Sequence, residues 1–264
     1  MSDNRTIAAL DALRSRLDVV RTVREEPRRK PDLSDRLNVS RSTVDRAVRE
    51  LRSAGLLVRD DGEYVLTLYG ELLADCYEAF LADAREVGAA GPLLEALPAD
   101  APMAREFLAG ATVETADPPA THRPVSRFER LLAEADRMRG LSRTISQSTT
   151  PRLINERVRD GMTGELVVGA DLAAHVRSDP HERSRERENV ETGRYRLFEV
   201  DSIPYGLALL DLDDGTRAVV FVYDDDNDLL GTITADDPEA VAWAETLYER
   251  YRSRATDISS TLVD

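Results

Sequence analysis

Lysine is almost missing from this 264-residue chain: Lys30 stands alone, and the other thirty-four basic residues are arginine. Cysteine is as scarce. Cys76 is the single one, so no intrachain disulfide forms, which suits a reducing cytosol. No apolar run approaches the roughly eighteen residues that a membrane span needs. The opening MSDNRTIAAL has neither the basic nor the apolar region of an export signal. A cytoplasmic protein with no membrane partner is therefore expected. The sequence contains no GxSxG, P-loop or GxGxxG. His122, His175 and His181 have no cysteine partners, and their spacing matches no standard zinc site. The expectation is a non-enzyme with no catalytic residues, metal ligands or cofactor.

Acid is abundant. Fifty Asp and Glu against thirty-five Arg and Lys give a net charge of −15. Such a balance is compatible with disorder, but 42% hydrophobic residues, set in periodic segments, argue for a folded chain. The length suggests about two domains. The acid-rich, lysine-poor composition resembles proteins of salt-in halophilic archaea. Charge is also unevenly placed. Arg21 to Arg59 holds eleven basic and six acidic residues, whereas residues 61–264 hold twenty-one and forty. A basic module on an acidic protein suggests that one end meets a polyanion.

Within that module, Ile7, Leu10, Leu13, Leu17 and Val20 have the spacing of an amphipathic helix over residues 6–24. Pro27 ends it, and Pro31 suits the first turn of a short second helix. A third helix is expected from Arg41 to Ala54, with Ser40 as N-cap, Gly55 after its end, and Val44, Ala47, Val48 and Leu51 buried. LLVRDDGEYVLT then reads as a hairpin around Asp-Asp-Gly. Three helices and a hairpin in this order make a winged helix-turn-helix.

The stretch LSDRLNVSRSTVDRAVRELRSAGLLVRDDGEYVLTLYG closely resembles the DNA-binding domains of archaeal and bacterial winged-helix regulators. In that arrangement the third helix enters the major groove. The resemblance implies that Arg41, Ser42, Thr43 and Arg46, following Ser40, read bases. By the same resemblance Arg28, Arg29, Lys30 and Arg49 contact phosphate, and Arg59 on the wing reaches the backbone. Asp45 lies among them; it pairs with Arg41 or Arg49, four residues away on either side, or accepts from a cytosine amino group. Double-stranded DNA is the expected partner.

Residues 66–87 read as a further helix, with Leu68, Leu72, Leu73, Cys76, Tyr77, Phe80 and Ala84 on one face. This face either packs within the monomer or forms the seam of a homodimer, and Cys76 is expected to be a small buried residue. Glycine and proline then accumulate, with a break at Pro118-Pro119. The expected organisation is a winged helix at 1–69, a connecting helix and linker at 70–127, and an α/β effector domain at 128–264.

In the last region helices are expected at 128–140, 151–162 and 237–255, with a polar, partly helical crossover at 171–193. Strands are expected at 143–149, 165–170, 195–201, 205–212, 217–224 and 229–236. The class is thus α+β: a winged helix-turn-helix, then an α/β sensor domain whose mixed sheet is parallel at first and antiparallel later. YGLALLD, the aspartate-rich strand pairs and the closing DPEAVAWAETLYERYRSRA resemble the output domain of an archaeal regulator family first named for methanogenesis and filament control. That resemblance implies a transcription regulator with a signal-sensing domain. The βαβαβ opening also resembles phospholipase-D-like folds, but the His-x-Lys pair of such catalysts is missing, because Lys30 is the only lysine. The run DDDNDLLG fails as a calcium loop, with Leu229 at the position that needs glycine and Ala235 at the one that needs glutamate.

Open α/β sheets bind ligands beyond the carboxyl ends of their parallel strands. Ser146, Ser148, Thr149 and Thr150, with Asp171, are therefore the candidate effector contacts, the first four at a helix start suited to an anion. Trp243, Leu247 and Tyr251 read as core or as a second dimer surface. The expected function is DNA-binding transcription regulation coupled to a small-molecule effector. The alternative is a protein–protein adaptor built on a winged-helix scaffold. For a DNA binder working in molar salt, counterion release is largely lost, so hydrogen bonds to bases and shape readout must dominate. Its log K against log[KCl] is accordingly expected to be shallow; a steep slope that abolishes binding by molar KCl would contradict this.

Overall fold

The computed structural model describes residues 2–144 and 149–263, which divide into two compact units, Met1–Ala84 and Arg85–Asp264. The first begins with helices α1 (Ser2–Glu25), α2 (Lys30–Leu37) and α3 (Arg41–Ser53). Strands β1 (Leu57–Asp60) and β2 (Glu63–Leu66) follow, and then α4 (Leu68–Glu95), within which the boundary between the units falls. Helix α1 breaks at Arg16, whose backbone is non-helical (φ −134°, ψ 25°). The break shifts the buried stripe: Ala9 and Leu13 precede it, Val19, Val20 and Val23 follow it, and Ile7, expected inside, is exposed. A single 3.6-residue period cannot describe a helix that changes phase midway.

Helix α3 follows its sequence closely. The Ser40 side chain accepts from the Thr43 N–H at its start. Gly55 (φ +77°) follows its end, where Leu56 N–H donates to Leu51 O at 2.9 Å, a Schellman closure. Val44, Ala47, Val48 and Leu51 are buried. The hairpin turns on Asp61 and Gly62, both at positive φ, with Asp60 paired to Glu63; two such residues are what a tight type I′ turn needs. Arg28 adds a single bridge to Tyr64.

Helix α4 differs from its expectation. Leu73 and Tyr77 pack on the core and Ala74 is buried within it. Leu68, Leu72 and Phe80 are exposed, and so is Cys76, which is therefore not the buried residue expected. The apolar face read as one is divided, because a straight helix can turn only part of so wide a stripe towards one core.

The second unit holds the end of α4, then α5 (Arg105–Leu108), β3 (Thr112–Thr115), α6 (Arg123–Glu134), β4 (Arg137–Ser142), α7 (Thr150–Arg159), β5 (Thr163–Gly169), α8 (Ala170–Ser178) and α9 (Pro180–Glu191). It closes with β6 (Tyr195–Val200), β7 (Gly206–Leu212), β8 (Gly215–Tyr223), β9 (Leu229–Ala235), α10 (Pro238–Arg252), β10 (Thr256–Asp257) and α11 (Ser259–Val263). Eight strands form one mixed sheet in the order β10-β6-β5-β4-β7-β8-β9-β3. Strands β4, β5 and β6 are parallel, and β7, β8, β9 and β3 are antiparallel to their neighbours. Alternate residues serve two cores: Leu207 and Leu209 of β7 join one with α10, whereas Ala208 and Leu210 join the other with α6 to α8. The sheet is thus covered on both faces, as a sheet with a parallel half requires.

Two sequence expectations are corrected here. Residues 88–127, read as linker, supply Ala90, Leu93, Phe107 and Leu108 to a core, and β3 to the sheet edge; their glycines and prolines punctuate short elements rather than a free tether. The first strand of the sheet lies at 137–142, not at 143–149. Asp-Arg-Met-Arg-Gly read as the end of a helix, yet Arg139 is buried in the strand, bound to Glu245 at 2.8 Å and Asp211 at 3.3 Å.

Two glycines of α4 give opposite expectations. A Cβ on Gly70 would lie 2.2 Å from Leu56 O, whereas one on Gly88 meets nothing within 4 Å. Gly70→Ala should lower stability by about 1–3 kcal/mol, and Gly88→Ala should raise it by about 0.5–1 kcal/mol. Urea unfolding midpoints in KCl buffer check both signs.

Candidate functional site

In the first unit, burial of the apolar face of α3 leaves Arg41, Ser42, Thr43, Arg46 and Arg49 exposed along one helix. At its N-terminus the Ser40 hydroxyl lies 2.8 Å from that of Ser42 and 2.9 Å from that of Thr43. The structure thus gathers the expected base readers on one surface. Arg59 is exposed on β1. Arg41 and Arg59 meet no acidic side chain within ion-pair distance among the described residues.

Several of the other expected basic contacts are already matched by acid. Lys30, and not Arg41 or Arg49 of the same helix, donates to Asp45, at 2.5 Å. Arg46 binds Glu50 at 3.0 Å, and Arg16 binds the other oxygen of Glu50 at 2.8 Å. Arg29 lies 3.6 Å from Glu63. Arg28 is half-buried and ion-paired to Glu26. The carboxyl of Asp45 is held below the ordinary range by the hydrogen bond from Lys30, helped by Lys30's charge and by Arg49. Glu50 is lowered likewise by Arg16 and Arg46. The Lys30 ammonium is raised by its hydrogen bond to Asp45.

In the second unit a cavity of about 690 Å³ lies against one face of the sheet, within the range that takes small molecules. Its floor includes Met138 and Gly140 of β4, Leu166 of β5, Ala208 of β7 and Phe221 of β8. Helix α6 contributes Phe128, α7 Ile154 and α8 Leu172. A Cβ on Gly140 would stand 2.9 Å from Leu207 O and 3.2 Å from Leu166 Cδ1, so glycine keeps this floor low. Helix α9 lends Glu182, Arg185 and Glu186, and the turn before β9 lends Asp226 and Asp228.

Of the expected effector contacts, Ser146 and Ser148 lie outside the described residues. Thr149 and Thr150 both donate to Glu129 Oε1, at 2.7 and 2.9 Å. The start of α7 therefore faces a carboxylate of the chain itself, although Thr150 also borders the cavity. Asp171 is exposed in the first turn of α8 and does not line it. Asp224, of the acidic turn, accepts from the Asp226 and Asp228 N–H groups at 2.9 and 2.8 Å. Among the described residues no group of three or more His, Cys, Asp or Glu is placed to hold a metal ion, and no helix is long and apolar enough to cross a membrane. Trp243 stacks on Phe107 with centroids 4.9 Å apart and joins the core with Leu247 and Tyr251.

Glu182, Arg185, Glu186 and Asn189 escaped the sequence reading. PHERSRERENVE lacks an apolar stripe and so reads as a solvated crossover. The signal available was the i, i+3, i+4, i+7 repeat of its uncommon inward set, which polarity concealed.

A family model for the middle domain of the methanogenesis regulatory protein FilR1 matches residues 121–254, just over half of the chain. The chain belongs to this FilR1 family. A second model, described as the HVO_A0261 N-terminal domain, matches residues 4–88 of this FilR1-family protein. No curated protein matches it. Among solved structures, TrmBL2, described as an archaeal chromatin protein with a novel mode of DNA binding, is 13% identical, with 83% of each chain covered and a TM-score of 0.43. Nuc of Salmonella typhimurium, a phospholipase D family member, is 8% identical over 56% of this chain and 96% of its own, with a TM-score of 0.42. NucT from Helicobacter pylori is 9% identical over 56% and 98%, also at 0.42. Likenesses this distant carry no functional argument.

The Lys30–Asp45 pair sets a pH window. Asp45 is depressed on folding, so its contribution is complete above the unfolded value of about 3.9 and is lost as pH falls through the folded one. Lys30 is raised, so its share is complete below about 10.4 and is lost as pH rises through its folded value. Carbon-detected NMR titration should find Asp45 ionising below an ordinary aspartate, and Lys30→Ala should move it upward; an unchanged Asp45 would refute the pairing.

Proposed function

We propose that this protein is a DNA-binding transcription regulator in which α3 reads operator bases and the cavity of the second unit receives a small effector. The observation that carries the reading is the outward face of α3. It combines Arg41, without an acidic partner among the described residues, the hydroxyls of Ser40, Ser42 and Thr43, and Arg46, next to a wing that carries Arg59, on the one basic stretch of a strongly acidic chain. Membership of a family of regulatory proteins supports it. Arg41, Ser42, Thr43 and Arg46 contact bases. Arg29, Lys30, Arg49 and Arg59 contact phosphate, and the half-buried Arg28 serves the wing instead. Effector binding shifts DNA affinity only as far as the effector distinguishes the two DNA-binding states.

The DNA-bound form is a homodimer joined through α4. Leu68, Leu72, Cys76 and Phe80 recur every four residues and lie exposed, a stripe that a second copy covers symmetrically. The matched pairs Lys30–Asp45 and Arg46–Glu50 favour, as a second reading, a winged helix that docks protein.

Selection from a random DNA library in molar KCl separates the two. The expected result is an enriched palindrome that is lost with Arg46→Ala. Phe80→Arg should give a monomer in sedimentation and weaken palindrome binding by at least about tenfold. No enrichment at any salt by a folded protein, with and without candidate effectors, would favour the adaptor.

A further inference from the structure

Helix α9 is built inside out. Its inward positions carry Glu182, Arg185, Glu186 and Asn189, and Val190 is its one aliphatic residue. An element packed on a sheet ordinarily turns apolar residues inward. Here the Glu182, Arg185 and Glu186 side chains keep only 14%, 19% and 12% of their surface exposed, and Asn189 is buried. Most of this set is internally satisfied. Arg185 donates through both terminal nitrogens to Glu182. Asn155 donates to Asn189 at 2.9 Å.

Glu186 is left over. Its carboxylate accepts no hydrogen bond among the described residues, its Oε2 is shielded from solvent, and the residue lines the cavity. Burial pushes its carboxyl above the ordinary range. A largely buried carboxylate without a donor is costly, and a cationic donor that meets it from the cavity offsets that cost. Arg185 Nε is also without a hydrogen-bond partner, but it does not make an anion site. The guanidinium is already matched by Glu182, and its Nε lies 3.9 Å from the Glu186 carboxylate, which would repel an anion. Among the described residues, the ionisable carboxylates of the lining are Glu182, Glu186, Asp226 and Asp228, against Arg185 as the single cation. Low-dielectric walls concentrate that negative potential.

We propose that the cavity binds a small, largely apolar molecule ending in a protonated amine, its ammonium donating to the Glu186 carboxylate and its body lying over Met138, Leu166 and Phe221. The proposal rests on the effector reading above and specifies its ligand class.

Calorimetric titration of the full-length protein with 3-phenylpropylamine, 3-phenylpropan-1-ol and 3-phenylpropionate tests it, since the three share one apolar body and differ in the end group. The amine should bind at least about tenfold more tightly than the other two, the worth of a charge-assisted hydrogen bond. Glu186→Gln should erase that preference, and Glu191→Gln, on the exposed side of α9, should leave it intact. Equal or tighter binding of the carboxylate overturns the proposal, as does no binding of any probe at millimolar concentration, or a preference that survives Glu186→Gln in folded protein. The wild-type ranking decides the matter even where the variant does not fold. Amine binding without any change in operator affinity would sustain the ligand class and remove the effector reading. Carboxylate binding that changes operator affinity would do the reverse.

Discussion

Strand β4 pairs in parallel with β5 on one side and antiparallel with β7 on the other, so the sheet changes character across its six residues. The buried Arg139 guanidinium holds that seam. Desolvation opposes its charge, but the Glu245 hydrogen bond and the field of Asp211 outweigh it. One ion cluster thereby ties β4 to β7 and to α10. Removing both acids would strand a buried cation, the costly way to break such a cluster. On the opposite face of the same strand, Met138 and Gly140 lie under the cavity. The ionic anchor and the cavity floor are two sides of one strand.

Legibility followed the physical origin of each element. The caps, hairpin turn and buried stripe of α3 rest on local rules, and Ser40, Gly55 and Asp61-Gly62 announce them in sequence. Strands β5 to β9 are aliphatic runs bounded by turns and were equally readable. Strand β4 was displaced because a buried arginine compensated from residues 72 and 106 positions away has no local signature. The start of α7 looked like an anion site until Glu129, twenty residues earlier, was seen to take both hydroxyls. The cavity needs α6, α7, α8 and α9 folded over the sheet at once, and no window of sequence contains that information.

The N-terminal surface shows how a protein with one lysine manages a basic face. Asp45 and Glu50 sit among the arginines of α3 and hold Lys30, Arg16 and Arg46 in defined ion pairs. Exposed pairs of this kind contribute little to stability, but they lower the net charge that an incoming polyanion meets. On the proposed reading, arrival of DNA exchanges carboxylate for phosphate around nearly constant positive charge. The gain from counterion release is correspondingly small, and the hydroxyl cluster at the start of α3 takes a larger part in discrimination.

The division of labour around the cavity has a consequence for how such a protein diversifies. The strands and helices α6 to α8 supply shape, whereas the ionic chemistry of the wall comes chiefly from three side chains of the twelve-residue helix α9. A lineage that altered Glu182, Arg185 and Glu186 together would re-address the chamber while leaving the sheet, its two cores and helix α3 untouched. On the proposed reading, new signals would then be acquired by editing one helix, with the rest of the scaffold inherited unchanged.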